Sequence, residues 1–149
     1  MPQTNPLDDQ DARNKKQAMA DINPMFQWLG IEVLKAGTKN SRFAMEVKEQ
    51  HSNTFGVCHG GIIFAFADLA LGFTCNARGE KSVTASASMD FLRPVMLGAR
   101  LIADVQETTI SGRNGFYKVV LSVEDDPETA VGLMHGRMRI LGGPVIDAG

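Results

Sequence analysis

From Gly60 to about Ala77 the chain carries a run that reads as one helix with almost no polar face. Ile62, Ile63, Phe64, Phe66, Leu69, Leu71 and Phe73 go all round it, and Gly79 stands just past its end. A helix that is apolar on every side must be covered on most of them. The rest of the chain offers strands for that purpose, at about 31–36, 42–48, 81–92, 98–110, 116–124 and 130–141. In the second of these, Phe43, Met45 and Val47 alternate onto one face. The joints fall at Arg93-Pro94 with Gly98, at Ser111 to Gly115, and at Asp125-Asp126-Pro127. Two strands, one long helix, then four strands imply an α+β fold. About six antiparallel strands form a curved sheet wrapped round the central helix.

Before the first strand, Asn23 to Gly30 reads as a short helix. Asn23 suits its cap, Pro24 its first position and Gly30 its left-handed stop. Residues 8–20 read as a short polar helix. The chain therefore divides into an N-terminal polar extension, 1–21, and one domain, 22–149, a length that suits a single core.

Asp68 is the one charge inside the apolar helix. A carboxylate there needs a partner or a change of protonation state, so it is either a structural hydrogen-bonding group, a point where the helix meets solvent, or a functional group. It lies on a stripe of small residues at spacings of three and four: Gly61, Ala65, Asp68, Gly72 and Asn76. That stripe leaves room for a second backbone, a helix or a ligand. At the start of the helix stand His59, Gly60 and Gly61. First-turn amides lack intrahelical partners, the helix dipole is positive there, and glycine lets a ligand oxygen come close. These are the ingredients of an oxyanion hole.

Eight residues separate Gly60 from Asp68, about 12 Å along a helix axis. A donor to a carbonyl oxygen and a group acting on the adjacent carbon must each come within roughly 3–3.5 Å of their targets. One chain can hardly do both. Two antiparallel helices about a twofold axis can, so the spacing implies a dimer with two composite sites.

The segment Asn53 to Asp68, NTFGVCHGGIIFAFAD, and the later Asp90 to Pro94, DFLRP, resemble the signature of the phenylacetyl-CoA thioesterase (PaaI-type) group of hotdog-fold proteins. The similarity spans roughly 22–142. It implies a hotdog fold and hydrolysis of acyl-CoA thioesters, with aryl-acetyl, other aromatic or medium-chain acyl groups all open. It also implies no metal, no cofactor apart from the CoA of the substrate itself, and homodimers that pair into homotetramers. Carried over by position, Asp68 matches the catalytic acid, acting as general base or nucleophile, and Gly60 the amide that polarises the carbonyl. Asn53 and His59 match polar residues that orient substrate or water, and Gly61 adjoins them. A hydroxyl from the segment 83–88 orients the water in some relatives. Alternation puts Thr84, Ser86 and Ser88 on one face, and motif spacing selects Ser86 with Thr84 next. The CoA nucleotide is expected near Arg93 and Pro94 and near Gly112, Arg113 and Asn114. An arginine there suits phosphate and equally suits a solvated surface.

Other chemistries are weaker. Cys58 beside His59 at a helix start could be a nucleophile, although adjacent side chains rarely point the same way. His51, His59 and His135 lack metal-ligand spacing. A hotdog hydratase or dehydratase would need a different His and acid pattern. A non-catalytic acyl-CoA sensor would need a DNA-binding segment that the short acidic N-terminus does not supply. The net charge of −2, without a basic stripe, speaks against nucleic acid. The polar start lacks a signal-peptide core, and the apolar run is short for a bilayer and carries Asp68, so a membrane partner is not expected. Two cysteines make no disulfide framework, and a soluble cytoplasmic protein is the default.

Overall fold

The computed structural model describes residues 23–145. The expected helix at 8–20 and the extension 1–21 lie outside these residues. The first described element is a helix, α1 (Pro24–Leu29). Asn23 Oδ1 caps it by accepting the Phe26 N–H at 3.0 Å, and Gly30 ends it at φ 65°. Asn23, Pro24 and Gly30 thus occupy the places their chemistry suits.

The strands are β1 (Glu32–Lys35), β2 (Asn40–Glu46), β3 (Glu80–Phe91), β4 (Arg100–Ser111), β5 (Asn114–Val123) and β6 (Gly132–Pro144), and the long helix α2 (Gly60–Asn76) sits between β2 and β3. They make one six-stranded antiparallel sheet in the order β1-β2-β4-β5-β6-β3, which leaves β1 and β3 at its edges. The expected curved sheet around one helix is present. α2 lies across the inner face, against β2 through β6. Ile63, Phe66, Ala67, Ala70 and Leu71 of α2 are buried there against Phe43, Met45, Leu101, Tyr117, Leu121 and Met134. α1 closes one end, with Phe26 stacked on Phe73 at 4.6 Å between centroids.

Strand boundaries differ from the sequence reading by a few residues, and two of these differences are informative. Asn114 and Gly115 were expected in a turn but begin β5. The turn holds only Gly112, at φ 59°, and Arg113, between the paired residues Ser111 and Asn114. That is the tight hairpin in which a glycine takes the positive φ of the first turn position. Gly115 is bare because the Tyr117 ring fills its side-chain space, lying 2.8 Å from where a Cβ would stand. β6 runs on to Pro144 through Gly142 and Gly143, both at positive φ.

The departure that matters for function lies in β3. Thr84 pairs with Met138 and Ser86 with Arg137, so two β3 steps match one on β6 and Ala85 is bulged out. Past the bulge the alternation inverts. Thr84 shares the inner face with buried Met138, while Ser86 and Ser88 share the outer face with Arg137 and His135. The expectation that Thr84, Ser86 and Ser88 share a face fails for that reason.

Candidate active site

α2 is not covered all round. Gly61 is exposed, and Ala65, Asp68, Gly72 and Asn76 are half-buried, so the small-residue stripe is the open face of the helix. Asn76 fastens one end of it. Its Nδ2 donates to Gly72 and Ser82 carbonyls and its Oδ1 accepts from Ser82 N and Oγ, tying α2 to the start of β3. In the middle, Thr84 Oγ1 donates to Asp68 Oδ1 at 2.6 Å. A hydroxyl donating to a carboxylate at this length is a charge-assisted bond, and it holds one of the two carboxylate oxygens. The apolar helix therefore tolerates Asp68 because the carboxylate is half-exposed and carries a hydroxyl partner from the edge strand.

At the start of α2, His59 is the cap, and its Nδ1 accepts the Gly61 N–H at 3.1 Å. The His59 carbonyl accepts the N–H groups of Ile62 and Ile63. Of the first-turn amides, Gly60 N–H alone donates to nothing among the described residues. It sits at the positive end of the helix, next to the Phe91 ring, which lies 3.4 Å from where a Gly60 Cβ would be. A cavity of about 290 Å³ opens there, lined by Cys58, Gly60, Ile63, Phe91, Arg93 and Pro94 among others.

The loop before α2 is a closed hairpin. His59 N–H donates to the His51 carbonyl at 2.7 Å, and Ser52 bridges to Cys58. Asn53 Oδ1 sits inside the hairpin and accepts from Phe55 N and Val57 N at 2.9 and 3.3 Å. Its carboxamide oxygen thus shapes the loop, and only Nδ2 is left over. Cys58 is buried, and burial pushes its thiol up to about 11, so no thiolate forms near neutrality.

The remaining expected residues lie elsewhere in the single chain. Ser86 lines an outer-face cavity of about 470 Å³ with Phe116, His135 and Arg137, across the sheet from Asp68. Gly112 and Arg113 line a third cavity, of about 440 Å³, with Arg78, Gly142 and Gly143, near the C-terminal end of α2. Asn114 Oδ1 accepts from Arg137 at 3.0 Å. His51, His59 and His135 do not converge, and no group of metal-ligating side chains occurs among the described residues. Two neighbours of the site escaped the sequence reading. Phe91 stands in the DFLRP segment, yet nothing local says that its ring meets Gly60. His51 was weighed only as a metal ligand.

Residues 55–130 match the thioesterase superfamily. The chain belongs to that family, its sheet and helix are the hotdog fold, and it is a thioester hydrolase. It is 29% identical over 128 residues to the acyl-coenzyme A thioesterase PaaI of Escherichia coli, covering 86% of this chain and 90% of that one. The solved structure of E. coli PaaI, from the phenylacetic acid degradation operon, superposes with a TM-score of 0.87 over 92% of this chain and 98% of that one, at 28% identity. A variant of the phenylacetic acid degradation protein PaaI from Thermus thermophilus is 34% identical, with a TM-score of 0.74 over 80% of this chain and all (100%) of that one. Among the described residues no helix is long and apolar enough to cross a membrane.

Proposed function

We propose that the protein hydrolyses acyl-CoA thioesters at two composite sites of a homodimer, with Gly60 from one protomer and Asp68 and Thr84 from the other. One observation carries this reading: capping by His59 leaves Gly60 N–H as the first-turn amide without an acceptor, while Asp68 faces outward on the same helix about 12 Å away. The thioester carbonyl oxygen accepts from Gly60 N–H, so charge that develops on it meets a fixed donor and the helix dipole. Asp68, held at Oδ1 by Thr84, takes a proton from water through its other oxygen, and the hydroxide attacks the carbonyl carbon. The tetrahedral intermediate collapses, the C–S bond breaks, and the CoA thiolate recovers that proton from Asp68. Direct attack by Asp68 through a mixed anhydride is the other route open to the same carboxylate. Neither route calls for a metal or a separate cofactor.

In an antiparallel pair of α2 helices, the Gly60 end of one protomer lies beside the C-terminal end of the other. Arg93 and Pro94 of one chain and Gly112, Arg113 and Asn114 of its mate then share an end of the dimer, where the CoA phosphates would bind. Phe91 and its neighbours give the acyl end an apolar wall, which suits aryl-acetyl or medium-chain groups. Dimers pairing into tetramers complete the reading.

The test uses two variants that each remove one half of a site. Gly60→Pro deletes the amide proton at a position where proline is well tolerated, the first residue of a helix whose preceding residue is extended. Asp68→Asn deletes the base. Each homodimer is expected to lose thiol release from a panel of acyl-CoAs. Co-refolded mixtures should regain it, because a mixed dimer holds one intact site. Failure of the mixture to recover would refute the composite site. Full activity of Asp68→Asn would refute the mechanism. CoA-ester binding by wild type without hydrolysis would make the protein a sensor.

A further inference from the structure

His51 is wholly buried, at 0% exposure, although it stands in a surface turn. Its Nδ1 accepts the Lys48 N–H at 3.0 Å, so that nitrogen is unprotonated and Nε2 carries the hydrogen. Nε2 is buried and meets no acceptor in good hydrogen-bond geometry among the described residues, the Glu46 carbonyl acting on the ring only from a poorer one. A buried donor without an acceptor is costly and calls for an explanation. The ring packs edge-on against Trp28 of α1, with centroids 5.5 Å apart. The backbone of the same residue holds the neck of the hairpin: His51 N–H donates to the Lys48 carbonyl at 2.9 Å, and the His51 carbonyl accepts His59 N–H at 2.7 Å. Gly60 is the next residue.

We infer that His51 is a positioning residue, whose neutral imidazole braces the turn that aims the Gly60 N–H at the thioester carbonyl. The inference rests on the function proposed above. The brace runs from Nδ1 to the Lys48 amide, through one 3₁₀ turn (Glu49–His51) to the His51 carbonyl, and from there to His59 and Gly60. Protonation converts Nδ1 from acceptor to donor, and two donors cannot share that bond. Acid therefore releases the turn. The charged groups around the ring are few. Lys48 disfavours the imidazolium, the Glu46 carbonyl favours it, Glu49 is exposed, and α1 brings no charged side chain. Burial, with Lys48, holds the imidazole below its ordinary value of 6.5. The neutral brace is thus complete above about that pH and is lost as the pH falls below it, toward the lowered value.

The test has two arms. In the wild-type protein, 15N spectra of the imidazole should show hydrogen on Nε2, and the Gly60 amide shift should titrate together with His51. In kinetics of thiol release between pH 5 and 9, His51→Phe, which keeps bulk and loses the acceptor, should lower kcat by ~10- to 100-fold with little change in KM. His51→Asn keeps an acceptor near the Nδ1 position and does not titrate. It should retain most of kcat and lose the acid-side inflection that wild type owes to His51. A Gly60 amide that stays still while His51 titrates would overturn the inference, and so would an unchanged acid limb in His51→Asn. Should His51→Phe fail to fold, the asparagine variant and the spectra still decide. If wild type cleaves no thioester while Gly60 follows His51, the proposed function falls and the coupling stands.

Discussion

Replacing Thr84 by valine keeps the side-chain shape and deletes the one proton that β3 offers to Asp68. The bond is short, 2.6 Å between Oγ1 and Oδ1, and its acceptor is a carboxylate. When enclosed, such bonds contribute about 1.5–3 kcal/mol. Thr84 is exposed and Asp68 half-buried, so water replaces part of the lost partner. Roughly half the value, about 0.75–1.5 kcal/mol, remains as lost orientation of the carboxylate toward its water. That corresponds to a ~4- to 13-fold fall in kcat. Thr84→Ser keeps the donor and should recover most of the loss. Ser86→Ala removes the hydroxyl on the other side of the bulge and should leave kcat within twofold of wild type. The assay is thiol release at saturating acyl-CoA, with folding matched by circular dichroism. A Thr84→Val enzyme within twofold of wild type, or a Ser86→Ala enzyme that falls as far, would refute the assignment.

Cys58→Ser should keep full activity, and the wild type should resist iodoacetamide at neutral pH, because the buried thiol is pushed up to about 11. Gly136→Ala places a methyl group against the Leu71 side chain of α2, in a core without slack. It should destabilise the fold by about 1–3 kcal/mol in urea unfolding, and Leu71→Val should recover part of that.

The fold was legible because its main signal is long. The run after Gly60, apolar on all sides, has one cheap solution, and the longer strands carry period two strongly enough to survive errors at their ends. The site was legible in part. Asp68 stood out because nothing else in that run is charged, and Gly60 because two glycines open the helix, where first-turn amides lack partners. The bulge at Ala85 left no trace, since neither glycine nor proline marks it, and strict alternation then put Ser86 beside Thr84. His51 was illegible for another reason. Its burial depends on Trp28, far back in the chain, and on a hairpin closed by backbone bonds that any residue types could make. The resemblance gave Asn53 a role in orienting substrate or water, and the local bonds of its Oδ1 show that this oxygen also shapes the loop.

The same bulge bears on how the two protomers of the proposed dimer would meet. β3 is an edge strand of twelve residues with its outer backbone unpaired within the sheet, and Val83 and Phe91 on it are half or more exposed. Long open edges are normally blunted or paired. Pairing β3 with its own mate about a twofold axis requires inner-facing residues to oppose inner-facing ones. Thr84 and Phe91 both face inward, yet seven residues apart they have opposite parity, and a regular strand could not set them opposite each other. The extra residue at Ala85 corrects the parity. With the axis at Ser88, Ala87 opposes Met89, Ser86 opposes Asp90, and Thr84 with Asp68 arrives beside Phe91 and Gly60 of the mate. Ser88 would then face its own copy on the outer side, with Cα atoms about 4.5–5.5 Å apart, within disulfide reach. Ser88→Cys should therefore oxidise to a covalent dimer that keeps its activity, as both native cysteines are buried. A dimer by light scattering that gives no cross-link on oxidation would exclude this register, and with it the route by which the bulge brings Asp68 to Gly60.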